Sequence, residues 1–142
     1  MNVLVTGATG FLGSRLIEKL DTLNYIDGII ATGRKIRKTH YIESKKIKYL
    51  LGDLSDEKFV NQITKDVDIL INCASLSSPW GSYSDFEKAN VNTQKNLIQA
   101  SKTYNIKKII YISSPGLYYE FKDLIDIPET SPLPKKFVNH YA

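Results

Sequence analysis

The chain has 142 residues, 42% of them hydrophobic and 24% charged, which suits one globular domain and excludes a disordered or collagen-like chain. Its single cysteine, Cys73, excludes an internal disulfide framework. No basic segment precedes a long apolar stretch, so we expect a cytoplasmic protein with no membrane partner.

The net charge of +4 includes two basic clusters, at residues 34–38 and 45–48. Such clusters can form a nucleic-acid footprint, but no nucleic-acid-binding motif accompanies them, so we expect no nucleic-acid partner. The two histidines, His40 and His140, lack neighbouring His, Cys or carboxylate groups at ligand spacing. We therefore expect both histidines at the surface and no metal site.

The first predicted strand, residues 3–5, runs directly into a glycine-rich segment at residues 6–13. A helix is predicted next, because apolar residues recur at helical spacing: Leu12, Leu16, Ile17, Leu20 and Leu23. A side chain at Gly7 or Gly10 would stand where a pyrophosphate meets the backbone amides, and Gly13 would let the helix pack close to its strand. The pattern predicts a dinucleotide site, with an ordinary glycine-rich turn as the alternative.

Further strands are predicted at residues 28–32, 47–51, 67–73 and 108–112. One helix is predicted to begin near Ser55, and another is predicted to run from about residue 85 to residue 104. This alternation is typical of a parallel sheet with helices on both faces. The last strand would form an exposed edge rich in Ile and Tyr, so we expect it to pair with a second copy and give a homo-oligomer.

Three stretches resemble the extended short-chain dehydrogenase/reductase superfamily, also called the NAD-dependent epimerase/dehydratase family. They are TGATGFLG at residues 6–13, CASLSSPWG at 73–81 and LPKKFVNHYA at 133–142. The last two are similar to the bacterial members related to 3β-hydroxysteroid dehydrogenase. The resemblance implies an α/β, Rossmann-type doubly wound parallel sheet, truncated to about five strands in the order 3-2-1-4-5. Residues 1–142 would be the NAD(P)-binding domain, with the substrate domain absent.

We expect cofactor contacts from the glycine-rich segment and from residues that follow the predicted strands: Gly7, Thr9, Gly10, Phe11, Leu12, Gly13, Arg34, Asp53, Leu54, Cys73, Ala74, Ser75 and Asn90. The resemblance places Asp53 and Leu54 along the adenine ring, although Asp53 is nearly as well explained as a turn or helix cap. The small residues Ala74 and Ser75 leave room for a ring. Asn90 is equally well explained as a residue that ties a helix to a strand.

Arg34 follows the second predicted strand, where an acidic residue would bind the ribose hydroxyls and an Arg accommodates a 2′-phosphate. With Lys35 or Arg37 assisting, Arg34 favours NADP over NAD. A solvated basic loop is the alternative.

The resemblance assigns the catalytic roles to Ser114 and Tyr141. Ser114 stands four residues before Tyr118, and its hydroxyl could donate to a carbonyl or alkoxide oxygen while nicotinamide gives or takes hydride. A serine that merely ends the strand before Pro115 is the alternative. Tyr141 matches the Tyr of the family's Tyr-x-x-x-Lys pair, but the chain ends at Ala142, before that Lys, so we expect little or no turnover.

The expected reaction is hydride transfer between a nicotinamide cofactor and the carbonyl or hydroxyl of a small-molecule substrate. A sugar epimerase or dehydratase and a non-catalytic dinucleotide-binding fragment are the alternatives. The loop at residues 76–84 carries the only tryptophan, Trp80, and is predicted to cover the site. Trp80 is equally well explained as an apolar anchor for that loop.

Overall fold

The computed structural model describes residues 1–142 and contains one five-stranded parallel sheet. Its strands are β1 (Asn2–Thr6), β2 (Gly28–Gly33), β3 (Ile47–Leu51), β4 (Ile69–Asn72) and β5 (Lys108–Tyr111). They lie in the order β3-β2-β1-β4-β5, and every neighbouring pair is parallel. The predicted Rossmann-type sheet and its strand order are confirmed.

The helices are α1 (Phe11–Asp21), α2 (Glu57–Thr64), α3 (Tyr83–Phe86), a π-helical turn (Glu87–Asn92) and α4 (Thr93–Thr103), with 3-10 turns at Lys38–His40 and Pro115–Tyr118. The α2 helix begins at Glu57, not near Ser55, because the Asp56 side chain accepts a hydrogen bond from the Lys58 amide and caps it. None of the helices has the length and apolar character needed to cross a membrane.

The predicted helix over residues 85–104 is interrupted by the π-helical turn between α3 and α4. A π turn inserts an extra residue into the helical repeat, and such turns occur frequently at functional sites. Periodicity of apolar residues does not reveal one extra residue, which is why a continuous α-helix is predicted there.

The core consists of two layers, one on each face of the sheet. Val3 and Val5 of β1 pack with Ile17 of α1 on one face. Leu4 packs with residues of α2 and α4 on the other, including Val60 and Leu97. Because a parallel sheet is covered on both faces, β1 is an uninterrupted apolar run at its centre.

One edge of the sheet is β3, and the other is β5, which pairs only with β4. Ile109, Ile110, Tyr111 and Ile112 are between 37% and 50% exposed. The expected exposed edge is therefore present, and it carries large apolar side chains.

Candidate functional site

The glycine-rich turn between β1 and α1 is held tightly against the end of β4. Gly7 has a φ of +63°, and a Cβ atom there would lie 2.7 Å from backbone atoms of Cys73 and Ala74. A side chain at Gly7 would therefore collide with this backbone, a constraint that the sequence does not reveal, and the clash with a phosphate stays a prediction. A Cβ on Gly13 would collide with the Gly7 carbonyl, which explains the close packing predicted for Gly13.

The N-terminus of α1 presents free backbone amides. Gly10 is the N-cap residue and provides no side-chain cap, and the amides of Phe11, Leu12 and Gly13 donate no hydrogen bond. The first helical hydrogen bond joins the Ser14 amide to the Gly10 carbonyl, at 3.1 Å. Unpaired amides at the positive end of a helix dipole favour an anion such as a phosphate.

A cleft of about 950 Å³ opens at the carboxyl ends of the strands. Of the predicted cofactor residues, it is lined by Gly7, Thr9, Gly10, Arg34, Asp53, Leu54, Cys73, Ala74 and Ser75. Gly13 and Asn90 do not line it. Phe11 and Leu12 do not line it either, and their side chains are 76% and 49% exposed.

The sequence reasoning missed several residues of this cleft. The segment from α3 to the start of α4 contributes Asp85, Lys88, Ala89 and Thr93. Lys88 lies in the π-helical turn, and no local signal in the sequence marks it as a cleft residue. Lys88 and Ala89 of the turn therefore line the cleft together with Asp85 of α3 and Thr93 of α4.

The cleft is lined by four cationic residues, Arg34, Lys35, Arg37 and Lys88, and by two carboxylates, Asp53 and Asp85. The Asp53 side chain accepts a hydrogen bond from the Ser55 amide at 2.9 Å, and Lys88 Nζ lies 3.7 Å from its second oxygen. The Ser55 hydrogen bonds are the main reason that the pKa of Asp53 is lowered, and the charges of Lys88 and Arg34 add to the effect. Asp53 therefore serves as a turn cap while it also lines the cleft.

Asn90 fastens the loop that follows β4. Its side-chain oxygen accepts from the Leu76 amide at 2.8 Å, and its side-chain nitrogen donates to the Leu76 carbonyl at 3.2 Å. Asn90 does not line the cleft. This geometry favours the tying role over a direct cofactor contact.

A buried polar network supports the floor of the cleft. The Asn72 oxygen accepts from the Thr6 hydroxyl and from the Ala74 amide, and its nitrogen donates to Gln94 at 2.6 Å. This network fixes the ends of β1 and β4 against α4, because a satisfied buried network is costly to break. Burial also raises the pKa of the neighbouring Cys73 thiol, which keeps it neutral.

The loop after β4 separates the cleft from a second, aromatic pocket of about 640 Å³. This pocket is lined by Pro79, Trp80, Gly81, Tyr83, Phe86, Phe137, Val138, Asn139, His140 and Ala142. Trp80 and Gly81 line both spaces. Trp80 is 81% exposed, so it is not the buried anchor considered as an alternative.

The two predicted catalytic residues do not line the cleft. The Ser114 hydroxyl oxygen accepts from the Gly116 amide at 3.1 Å and caps the 3-10 turn after β5. The Tyr141 ring lies beside Phe86 at the aromatic pocket, with ring centres 6.5 Å apart. The structure thus places Tyr141 near the aromatic pocket and Ser114 at the end of β5.

The histidines differ from each other in environment. His140 is exposed, as predicted, and its ring makes an edge contact with Tyr83. His40 is only partly at the surface, because it is half-buried and its Nδ1 lies 3.1 Å from the Thr9 carbonyl oxygen. The two residues are 31 positions apart, so no local pattern reveals this contact.

Comparisons with known proteins agree with this geometry. The family model of the NAD dependent epimerase/dehydratase family matches residues 3–142. A 2-alkyl-3-oxoalkanoate reductase of Shewanella oneidensis is 31% identical over 99% of this chain and 35% of its own length. A decarboxylating sterol-4-alpha-carboxylate 3-dehydrogenase of Candida albicans is 29% identical over 99% of this chain and 42% of its own length.

Solved structures show the same fold. The Bordetella bronchiseptica enzyme WbmH, solved in complex with NAD+, superimposes with a TM-score of 0.86 at 20% identity, over 99% of this chain and 47% of that one. This chain therefore spans less than half the length of the relatives it matches. On the match of the family model to residues 3–142, the chain belongs to the NAD dependent epimerase/dehydratase family.

Proposed function

We propose that the cleft binds a nicotinamide dinucleotide, NADP in preference to NAD, and that the protein transfers hydride between this cofactor and a carbonyl or hydroxyl group of a small molecule. The observation that carries the proposal is the set of free amides of Phe11, Leu12 and Gly13 at the N-terminus of α1, beside the cleft. Free amides and a turn with no side chain at Gly7 or Gly10 fit a pyrophosphate.

The preference for NADP is supported by the charges where β2 ends. Arg34, Lys35 and Arg37 all line the cleft after Gly33, and no side-chain hydrogen bond or ion pair engages them. Asp53 accepts a hydrogen bond from the Ser55 amide and faces Lys88, so its negative charge is partly balanced within the cleft. Free guanidinium groups suit a phosphate, which they bind with charge-assisted hydrogen bonds.

The catalytic part of the proposal rests on Ser114 and Tyr141. Bound nicotinamide would supply or accept the hydride. Because the Ser114 oxygen accepts from the Gly116 amide, its hydroxyl hydrogen is free to donate to a substrate oxygen. Tyr141 would move the proton to or from that oxygen.

The aromatic pocket supports a substrate with an apolar body. Tyr83, Phe86 and Phe137 provide apolar ring surface next to Tyr141. The names of the two relatives, a reductase of an alkyl-substituted oxoalkanoate and a sterol dehydrogenase, agree with such substrates. The family also includes epimerases and dehydratases, so the same hydride step on a sugar is the second candidate.

The test is titration of the protein with NADPH and NADH, followed by nicotinamide fluorescence. We expect the protein to bind NADPH more tightly than NADH. Arg34→Ala should lower the affinity for NADPH by about 10- to 100-fold, the effect of losing hydrogen bonds to a charged group, and should change the affinity for NADH little. Arg15→Ala is the matched control, because Arg15 is exposed on α1 and paired with Glu18. Equal binding of the two nucleotides, or equal behaviour of the two variants, would contradict the NADP assignment.

Binding of neither nucleotide would overturn the proposal as a whole. If binding is found, substrate turnover separates the candidate reactions, and binding without turnover favours the non-catalytic dinucleotide-binding fragment. Oxidation of NADPH by a ketone with an apolar body supports the reductase. Conversion of a nucleotide sugar with no net change in cofactor would favour the epimerase instead.

A further inference from the structure

We propose that His40 is a positioning residue for recognition of the cofactor's 2′-phosphate, because it fastens the basic segment, residues 34–39, to the glycine-rich turn. This inference rests on the NADP binding proposed above. It concerns how the basic segment is held and not which of its side chains contacts the phosphate.

The basic segment has few contacts of its own. It leaves the sheet at Gly33, and all six of its residues are exposed. The hydrogen bonds near its end are those of the 3-10 turn, from the His40 amide to Arg37 at 2.9 Å and from the Tyr41 amide to Lys38 at 3.4 Å. Neither bond attaches the segment to the sheet or to the glycine-rich turn.

Both ends of the segment meet the same residue, Thr9. At the first end, a Cβ on Gly33 would collide with the Thr9 hydroxyl, so the Thr9 side chain packs directly on Gly33. At the other end, the half-buried His40 places Nδ1 3.1 Å from the Thr9 carbonyl oxygen, where the protonated nitrogen donates. This is the only hydrogen bond that joins residues 34–40 to the glycine-rich turn.

The His40 contact therefore restricts the motion of the three cations that line the cleft, Arg34, Lys35 and Arg37. Without it the segment would be held at Gly33 and, beyond His40, first where the Ile42 amide donates to the Tyr49 hydroxyl and the Tyr41 ring packs against the Tyr49 ring. A phosphate would then have to order the loop as it binds, which costs conformational entropy. NADH has no 2′-phosphate and does not use these cations, so its affinity is largely independent of the contact.

The first test compares the ratio of NADPH to NADH affinity in three variants. His40→Ala is expected to reduce the preference for NADPH by about three- to tenfold, as expected for the loss of one net hydrogen bond. His140→Ala, the matched control, changes the other histidine and should leave the ratio unchanged. His40→Asn can still donate from its side-chain amide and should recover part of the preference.

The second test needs no cofactor and uses trypsin, which cleaves after the cations of the basic segment. We expect cleavage at residues 34–38 to be several-fold faster in His40→Ala than in the wild type, since proteolysis follows the population of locally open states. Cleavage after Lys102, at the end of α4, serves as the internal reference for global unfolding.

The two tests separate this inference from the proposed function. If cleavage at residues 34–38 is no faster in His40→Ala than in the wild type, relative to Lys102, the tether is refuted whatever the nucleotide affinities are. If the wild type prefers NADPH, and Arg34→Ala loses the preference while His40→Ala keeps it, the positioning role alone is refuted. If the wild type binds both nucleotides equally, the NADP assignment fails and the role in phosphate recognition fails with it.

Discussion

Replacement of Gly7 by alanine should destabilise the fold strongly. Gly7 adopts a left-handed backbone conformation, with a φ of +63°. This conformation is less stable by about 1–2 kcal/mol for a residue with a Cβ atom. The new Cβ would also lie 2.7 Å from backbone atoms of Cys73 and Ala74. Overpacking of this kind costs about 1–3 kcal/mol, because backbone cannot move aside as a flexible side chain does.

The sum predicts a loss of about 2–5 kcal/mol in the free energy of unfolding, a large share of the roughly 5–15 kcal/mol typical of a domain. Gly10→Ala is the matched control within the same turn. Gly10 has an extended backbone, with φ at −92° and ψ at 179°, and its Cβ would lie 3.2 Å from the Gly7 carbonyl. We expect Gly10→Ala to lower the free energy of unfolding by about 1 kcal/mol, the typical cost of alanine at an N-cap.

The assay is urea unfolding of the three proteins, followed by circular dichroism, with a common slope of free energy against urea. Gly7→Ala should unfold at a clearly lower urea concentration than Gly10→Ala. If the two variants are equally stable, the packing of Gly7 on the end of β4 is not what requires glycine there, and the reasoning from geometry is refuted.

Three other predictions concern the loop after β4, the cysteine and the sheet edge. Asn90→Ala removes both hydrogen bonds to Leu76 and should speed hydrogen exchange of the Leu76 amide at least several-fold. Asn92→Ala, the control at an exposed residue, should leave this exchange unchanged. Equal exchange in the two variants would contradict the role of Asn90 in tying the loop. Because burial raises its pKa, the Cys73 thiol should react with iodoacetamide more slowly at pH 8 in the native protein than in urea, and equal rates would refute this. The exposed apolar edge at β5 should give concentration-dependent dimers in sedimentation, which Ile110→Lys should abolish; a wild-type monomer at high concentration would contradict it.

Most of the sheet could be predicted from the sequence, because each strand is a short apolar run between glycine, polar or helical segments. The predicted bounds of β3 coincide with the structure, and those of β4 and β5 extend beyond it by a few residues at most. Residues in a central parallel strand are buried on both faces, so the signal is strong even without alternation.

The site was predictable only where it depends on local sequence. The glycine-rich turn and Arg34 follow strands directly, so their places at the cleft could be inferred from order along the chain. Lys88 could not, since it reaches the cleft through a π-helical turn. His40 could not either, because its partner Thr9 is 31 residues away in sequence and no motif joins the two.

The most direct test of the central claim, that the N-terminus of α1 receives a nicotinamide dinucleotide, is an amide chemical-shift titration of this chain with NADPH by NMR. We expect the largest saturable shifts at the unpaired amides of Phe11, Leu12 and Gly13. Shifts concentrated instead at the aromatic pocket, around Phe137 and His140, or no saturable shift at all, would contradict it.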